Sequence, residues 1–571
     1  MPSMLDARMD AITARMTGPG GLMPLANVEI NGAMIPMIAV APPTLTHYFD
    51  HFCALHGDKE FLIDGDERLS FEEVYAAANK VAKALVSGYG VKRGDRVGIA
   101  ARNAPSWIIL YMGILMAGGV ATLLNGWWQG AELADGIDDV GVTLLFADSP
   151  RAKRLIEANR SIMAEMVVID LGLPTNEALA PIIAKATDSA TLLELDGDDL
   201  ATILFTSGST GQSKGAYSTH RAVVQGTFNY IVQAMGMLEV AIEDGLVIKP
   251  DAQPAALLSV PLFHVTGAVP LMLVSFAVGR KIVMMPKWDA AKAMELIQNE
   301  KITNFTGVPL MSFEIMTHPE RHKYDLSTLQ GLAGGGAPRP VDHVRRLAEA
   351  FPTAPPALGY GLTETNAIGC GNYSTNYIEK PNSTGRASAP LVDLAILDDD
   401  GKPMPQGERG EVCIRTVANF SGYWNRPEAT ADAMTADGYF RTGDLGYLDP
   451  EGYLYIVDRK KDIIIRGGEN ISCQEVEAAI YEHAAVAECA VFGLPDERLG
   501  EVVGAIAYSH PGQSIDADAL RTFLSERLAG FKVPLRMWFS STPLPRLGTE
   551  KIDKVDLRKV HRALWEAEQK T

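Results

Sequence analysis

Between Leu69 and Asp148 the chain alternates apolar runs with amphipathic stretches. Apolar residues spaced three and four apart predict helices over 71–86, 105–117 and 131–138. Short continuous apolar runs predict strands over 96–100, 120–124 and 142–147. Strands that alternate with helices of this length make βαβ units, and so a parallel sheet. Ahead of them, residues 1–60 show only a weakly amphipathic helix around Leu5, Met9, Ile12 and Met16. They are read as that helix followed by irregular chain, a cap on the surface.

The alternation resumes after 200. Run 201–205 reads as a buried strand, and beyond the glycine-rich stretch that follows it apolar runs at 255–260, 281–285, 303–306 and 331–333 read as strands, with helices over 288–299 and 339–351, which predicts a second parallel sheet. Around 391–415 the texture changes to short strands with turns at Asp400-Gly401 and Gly407, a small β-rich subdomain. A charged cluster, Asp458-Arg459-Lys460-Lys461-Asp462, precedes an α+β remainder with helices over 475–482 and 517–528 and strands over 488–492 and 503–508. The expected fold is α/β: a large N-terminal domain over 1–457, a hinge at 458–462 and a small C-terminal α+β domain over 463–571.

One stretch needs a membrane test. Residues 107–124 carry no charge over about eighteen positions, near the length that spans a bilayer. Gly113, Gly118 and Gly119 divide it into a buried helix and a strand, although peripheral contact with a membrane stays open. The rest of the composition is that of a globular chain: 571 residues, too many for one core, with 47% hydrophobic and 21% charged residues. A net charge of −19 argues against non-specific nucleic-acid binding. Cys53, Cys370, Cys413, Cys473 and Cys489 lack paired spacing, so neither a disulfide framework nor a zinc site is expected. The N-terminus shows no leader pattern, and a cytoplasmic protein is expected, a monomer or a homodimer.

The candidate chemistry lies just past strands, where parallel sheets bind ligands. Thr206, Ser207, Gly208, Ser209, Thr210, Gly211 and Lys214 belong to TSGSTGQSKG, which follows the apolar run 201–205. Glycines bring backbone N–H groups close to an anion, and the hydroxyls and one ammonium add donors, as a polyphosphate needs. The stretch departs from the common nucleoside-triphosphate loop, since Lys214 lies between Ser213 and Gly215. By itself it reads equally well as a surface turn. In Gly359-Tyr360-Gly361-Leu362-Thr363-Glu364-Thr365 the aromatic ring suits a base, and the hydroxyl and carboxylate suit phosphate and Mg²⁺; by itself the stretch reads equally well as a tight turn with a capped helix start. Thr442-Gly443-Asp444 ends a strand with a carboxylate able to accept both ribose hydroxyls, or is a simple turn.

Taken together these segments resemble the adenylate-forming superfamily of acyl-CoA synthetases, peptide-synthetase adenylation domains and beetle luciferases. The resemblance runs from about Thr44 to Arg562. Its motifs stand in the family's order: TSGSTGQSKG, PLFHVTG from Pro261, AGGGAP from Ala333, YGLTE from Tyr360, ERGEVCIR from Glu408, YFRTGD from Tyr439, DRKKD from Asp458, RGGENIS from Arg466, and a late lysine, Lys551. The resemblance implies an acid–thiol ligase, with ATP, Mg²⁺ and CoA taking part. A carboxylate would attack the α-phosphate of ATP, and a thiol would then displace AMP.

The resemblance also implies roles. Thr206 to Lys214 would cradle the phosphates, with Glu364 and Thr206 at the metal and Thr363 at the α-phosphate. Gly336, Ala337, Tyr360 and Gly361 would bracket adenine, and Asp444 with Arg459 would hold the ribose. Lys551 would bridge the carboxylate and the α-phosphate, although Glu550 stands where the family usually has glycine. Lys461 matches the pivot of a mobile small domain. Arg466, Gly467, Gly468 and Glu469 would line the CoA path, and Arg466 and Lys460 are candidates for its phosphates. His264 would gate the space between acid and CoA. Phe263, His264 and Val265 leave no carboxylate there for a substrate ammonium. Val265, Thr266, Ala268, Val308, Gly334 and Gly335 would make a deep apolar pocket, for a medium- or long-chain fatty acid or a bulky arylalkanoic acid. Loading of a separate carrier protein and a non-catalytic nucleotide-binding relative remain the alternatives.

Overall fold

A computed structural model of the chain describes residues 3–30, 32–187, 190–206, 213–245, 252–336, 339–460, 462–467, 469–510, 512–547 and 551–569. It falls into two compact units, each described by itself. The first takes most of the chain up to Leu394 together with Ile414–Phe440, and the second takes Ala395–Cys413 and Arg441–Thr571.

The first unit is α/β, built on two sheets. One has seven strands in the order Gly422–Tyr423, Gly215–Thr219, Leu200–Phe205, Val120–Leu123, Arg96–Ala100, Leu144–Asp148 and Glu165–Ile169. Its interior is parallel, as the alternation predicts, but Gly215–Thr219 runs antiparallel to Leu200–Phe205 and Gly422–Tyr423 runs antiparallel to it in turn. The other has nine strands, with Glu60–Asp64, Lys281–Met284, Ala255–Leu258, Asn304–Gly307, Gly331–Gly335 and Pro356–Gly361 parallel and antiparallel strands at both edges. An antiparallel edge strand needs only a short connection, so βαβ periodicity does not announce it.

Every residue of the helix Pro105–Met116 is buried, including Trp107 and Tyr111, which stack on each other. The chargeless run is therefore core helix followed by the strand Val120–Leu123. Among the described residues no helix is long and apolar enough to cross a membrane.

Residues 1–60 are more ordered than their weak periodicity suggests. The helix Met4–Thr17 is closed by a Ser3–Asp6 capping box and buries Ile12 and Met16. Its partner is the helix His220–Glu243, where the absent side chain of Gly236 makes room for Met9, and Arg8 reaches Glu243 and Asp244. A hairpin of Leu25–Ile30 and Ala33–Ile38 follows, then the helix Leu45–His56, which buries Tyr48, Phe49 and Phe52. The first helix stands where it is expected, but the irregular chain expected after it is instead a hairpin and a second helix, because its apolar groups are completed by partners some two hundred residues away.

Two features of this unit bear on its chemistry. Gly267–Leu273 is a π-helix containing Pro270, a wide turn often found at functional sites. Donors from outside the turn take its carbonyls: the Ser275 hydroxyl and Arg280 donate to Leu271, and the Tyr48 hydroxyl donates to Leu273. The second feature is Arg339, buried near the strand Gly331–Gly335, whose three guanidinium nitrogens find no hydrogen-bond partner among the described residues. The nearby Tyr377 hydroxyl likewise finds no partner among the described residues. A buried cation without an acceptor costs free energy that an apolar side chain of similar length avoids. Arg339→Met is expected to stabilise the fold by about 1–3 kcal/mol, read as a raised denaturant midpoint at unchanged m-value. A loss of stability would show that the guanidinium has a partner in solution.

The compact units part after Phe440, upstream of the hinge cluster. The β-rich texture expected at 391–415 belongs to a four-stranded sheet of Asp393–Leu397, Gly410–Arg415, Phe440–Leu448 and Leu454–Arg459. The second unit also carries a five-stranded sheet in which Gly500–Ser509 pairs with Val486–Asp496 and Arg536–Ser540. The helices Cys473–Tyr481, Ala517–Ser525 and Lys554–Glu568 accompany it, close to the expected α+β remainder. Lys461 lies outside the described residues.

Candidate functional site

In the first unit the glycine-rich stretch joins two antiparallel strands. Phe205 pairs with Gly215, and the Thr206 N–H donates to the Lys214 carbonyl at 3.0 Å, so the two ends of the stretch are cross-linked. Ser207, Gly208, Ser209, Thr210 and Gly211 lie outside the described residues. Thr206 and Lys214 are half-buried, and the Lys214 ammonium lies 4.8 Å from the centre of the Tyr423 ring.

Tyr360 and Gly361 end the strand Pro356–Gly361, and Thr363–Thr365 forms a single 3₁₀ turn. The chain then doubles back through Asn366 and Ala367, both at positive φ. A Cβ at Gly361 would lie 1.9 Å from the Ala367 carbonyl, so only glycine allows this return. Tyr360 and Thr363 are half-buried, and Glu364 is 8% exposed. The Tyr423 hydroxyl donates to Glu364 Oε1 at 2.7 Å, and the Phe420 N–H donates to the Glu364 carbonyl at 2.7 Å. Burial and the neighbouring carboxylate raise the pKa of Tyr423, so it stays a hydrogen-bond donor. Tyr423 was not among the residues picked from the sequence. Its signal was the run Gly422-Tyr423-Trp424 between two recognised motifs, but nothing there shows that it faces Glu364.

Gly336 is exposed at φ 75°, beside Ala337, which lies outside the described residues. Gly334 and Gly335 differ in what they face. A Cβ on Gly334 would lie 2.5 Å from the Arg339 guanidinium, whereas one on Gly335 would lie 3.4 Å from the Gly359 carbonyl. Two residues read together as one apolar wall thus point in different directions, as strand alternation requires, and Gly334 borders a cation.

His264 is half-buried, just ahead of the π-helix, and its Nδ1 accepts from the Thr266 N–H at 3.3 Å. The approach to it is pinned by Asn103, which donates to the Val260 carbonyl and accepts from the Leu262 N–H. Val265 and Ala268 are buried in the main core, while Thr266 and Val308 are half-buried.

The second unit holds the remaining residues. Asp444 and Arg459 face each other across the antiparallel strands Phe440–Leu448 and Leu454–Arg459, with Arg459 Nε 3.1 Å from Asp444 Oδ1. Asp444 is 4% exposed. A recess of about 230 Å³ is lined by Thr442, Gly443, Arg459 and Lys460. Gly443 is held by Glu411 of the ERGEVCIR segment, which accepts from the Gly443 N–H and pairs with Arg441 at 2.9 Å. Lys460, a candidate for CoA phosphate, is engaged by Asp399 at 2.6 Å and approached by Glu411 at 3.6 Å.

The Lys551 carbonyl accepts from the Leu547 N–H at 2.7 Å, and Arg546 bridges to Ile552. Burial and the Arg459 charge lower its pKa to about 8, against an opposing pull from Asp444. Glu550 lies outside the described residues. Arg466 pairs with Glu469 across a tight turn, where Gly467 at φ 58° donates to the Leu499 carbonyl. Gly467 and Glu469 are exposed, and Gly468 lies outside the described residues.

The profile of the AMP-binding enzyme family matches residues 49–424, and that of its C-terminal domain matches 475–551. The chain belongs to the AMP-binding enzyme family. A long-chain-fatty-acid–CoA ligase of Bacillus subtilis is 33% identical over 540 residues, 89% of this chain and 93% of that protein. A feruloyl-CoA synthase of an Amycolatopsis species is 33% identical over 498 residues, covering 87% and 94%. Among solved structures, ATP-bound MatB from Rhodopseudomonas palustris superposes with a TM-score of 0.80 at 27% identity, over 91% of this chain and 99% of that one. This member of the family is an AMP-forming acyl-CoA ligase, with ATP and CoA as substrates.

Proposed function

We propose that this ligase activates a hydrophobic acid, a medium- or long-chain fatty acid or a bulky arylalkanoic acid. The observation that carries the reading is the segment after His264. Val265 and Ala268 are buried, and the π-helix that follows, GAVPLML, is apolar throughout. A wall of this kind offers a substrate chain burial at about 0.8 kcal/mol per methylene and no countercharge for an ammonium. Relatives named for long-chain fatty acids and for feruloyl-CoA support the same class.

In the first step a carboxylate oxygen attacks the α-phosphorus, the bond to the bridging oxygen breaks, and pyrophosphate leaves. In-line displacement of this kind needs positioning and charge neutralisation more than covalent help. Thr206 and Lys214 bind the departing phosphates, and Thr363 contacts the α-phosphate. Tyr360 and Gly336 hold adenine, and Asp444 accepts from the ribose hydroxyls beside Arg459. Lys551 draws carboxylate and phosphate together. In the second step the CoA sulfur attacks the acyl carbon and AMP leaves with the bonding pair. The small domain re-poses about Lys461 in the hinge 458–462, and Arg466, Gly467 and Glu469 line the thiol's approach.

Glu364 fits a bound Mg²⁺: it is a buried carboxylate, a hard oxygen donor of the kind this ion pairs with phosphates, and the Thr206 hydroxyl is a second oxygen. Bound there, the ion would neutralise phosphate charge.

The test is pyrophosphate release with ATP across fatty acids of increasing length, arylpropionates and cinnamates, with and without CoA. CoA-dependent turnover is expected to rise with apolar surface. Turnover restricted to short or amino acids would overturn the assignment.

A further inference from the structure

Glu364 and the glycine-rich stretch are far apart in sequence, yet one short segment touches both. Residues 420–424 form a bracket. The Phe420 N–H holds the Glu364 backbone carbonyl, the Ser421 N–H donates to the Tyr217 carbonyl at 2.8 Å, and the Trp424 N–H donates to the Gly215 carbonyl at 2.8 Å. Tyr423 itself pairs with Ala216 on the strand that leaves the glycine-rich stretch. Its N–H is fixed by the Thr430 hydroxyl at 2.9 Å, and its ring packs edge-on against Phe420 at 4.8 Å. Held in this way, one side chain does two things. Its hydroxyl donates to Glu364 Oε1 at 2.7 Å, and its ring face receives the Lys214 ammonium at 4.8 Å.

We propose that Tyr423 is a positioning residue for the adenylation half-reaction. Through the hydroxyl it orients the Glu364 carboxylate toward the cation of the metal–ATP complex. Through the ring it holds the Lys214 ammonium beside the phosphates until ATP arrives. The proposal rests on the reading of Glu364 as a metal ligand and Lys214 as a phosphate ligand. Its physical basis is geometric. A buried carboxylate with one oxygen engaged by a strong donor keeps a single orientation, so less ordering remains to be done when the cation binds. An ammonium over an aromatic face is attracted at this distance but remains able to leave for a phosphate, a stronger partner.

The test uses Tyr423→Phe, which removes the hydroxyl and keeps the ring, the packing on Phe420 and the seat of Lys214. Mn²⁺ binding to the full chain saturated with a non-hydrolysable ATP analogue, followed by electron paramagnetic resonance, is expected to weaken about tenfold, as for loss of a hydrogen bond to a charged group. The half-saturating Mg²⁺ for pyrophosphate release rises in parallel. Thioester formation from a pre-made acyl-adenylate is unchanged, and the melting temperature stays close to that of the parent.

Glu364→Gln is the second arm. It weakens Mn²⁺ binding by itself, and adding Tyr423→Phe to it produces little further loss, because the hydroxyl acts through that carboxylate. Unchanged Mn²⁺ affinity in Tyr423→Phe, or a loss that adds fully to that of Glu364→Gln, would overturn the proposal and leave the metal reading standing. Unchanged affinity in Glu364→Gln overturns both.

Discussion

Replacing Lys551 by alanine is expected to lower kcat/KM for acyl-adenylate formation, read as pyrophosphate release, by about 10²–10³-fold or more, the usual cost of removing a group that stabilises developing charge. Thioester formation from a synthetic acyl-adenylate and CoA is expected to proceed at close to the parent rate, since no phosphorus centre reacts in that step. Equal loss of both steps would remove Lys551 from its assigned role. The lowered pKa adds a signature in pH. In the proposed role the ammonium form is the active one, and burial and the Arg459 charge lower its pKa to about 8. The adenylation kcat/KM should therefore be flat at lower pH and fall about tenfold per unit above 8. Lys551→Arg retains a positive charge throughout, because arginine does not deprotonate in this range. It is expected to be slow, since a planar fork replaces a flexible point charge, but to lose the alkaline fall. Persistence of that fall in Lys551→Arg would move the titration to another group.

The second large effect is expected at Asp444. Its carboxylate is buried, paired with Arg459 and beside the recess under Thr442 and Gly443. Asp444→Asn keeps the volume but gives up the charged acceptance proposed for the two ribose hydroxyls and removes the carboxylate that lies 3.1 Å from Arg459 Nε. Together these predict a fall of about 10²–10³-fold in kcat/KM for ATP, carried mainly by KM, at the scale of losing hydrogen bonds to a charged group. The discriminating measurement replaces ATP by 3′-deoxy-ATP. The parent is expected to prefer ATP strongly, while Asp444→Asn should treat the two nucleotides nearly alike, because the group that reads the hydroxyl is gone. Undiminished discrimination in the variant would assign the ribose contact to another residue. Lys551→Ala measured beside it should keep the preference for ATP, which separates a nucleotide-binding defect from a chemical one.

Much of the α/β architecture is legible in the chain because it follows from local periodicity. The strand Arg96–Ala100 and the helix starting at Pro105 stand where apolar spacing places them. A continuous apolar run bounded by glycines has few other ways to satisfy its backbone in a core. What periodicity misses are the antiparallel edge strands Gly215–Thr219 and Gly422–Tyr423, and the hairpin and second helix of the first sixty residues. These elements are short or weakly amphipathic, and they are held by distant partners such as Gly236 under Met9. The order of the polar and glycine motifs likewise identified the family before any geometry was available, since residue types at fixed spacing carry that information.

The candidate site divides along the same line. Chemical type and order along the chain carried the resemblance by which Thr206, Lys214, Glu364, Asp444 and Lys551 are proposed to meet phosphate, ribose and carboxylate. The tertiary structure decided which groups hold them: Tyr423 on Glu364 and under Lys214, Glu411 beneath Gly443, Arg459 across from Asp444. It also decided that Gly334 faces a buried guanidinium and not only an apolar wall, and that Lys551 sits where its charge is costly. A side chain's chemistry is written in its own identity. Its pKa, its orientation and its partner depend on what the fold brings beside it, and those neighbours lie tens to hundreds of residues away along the chain.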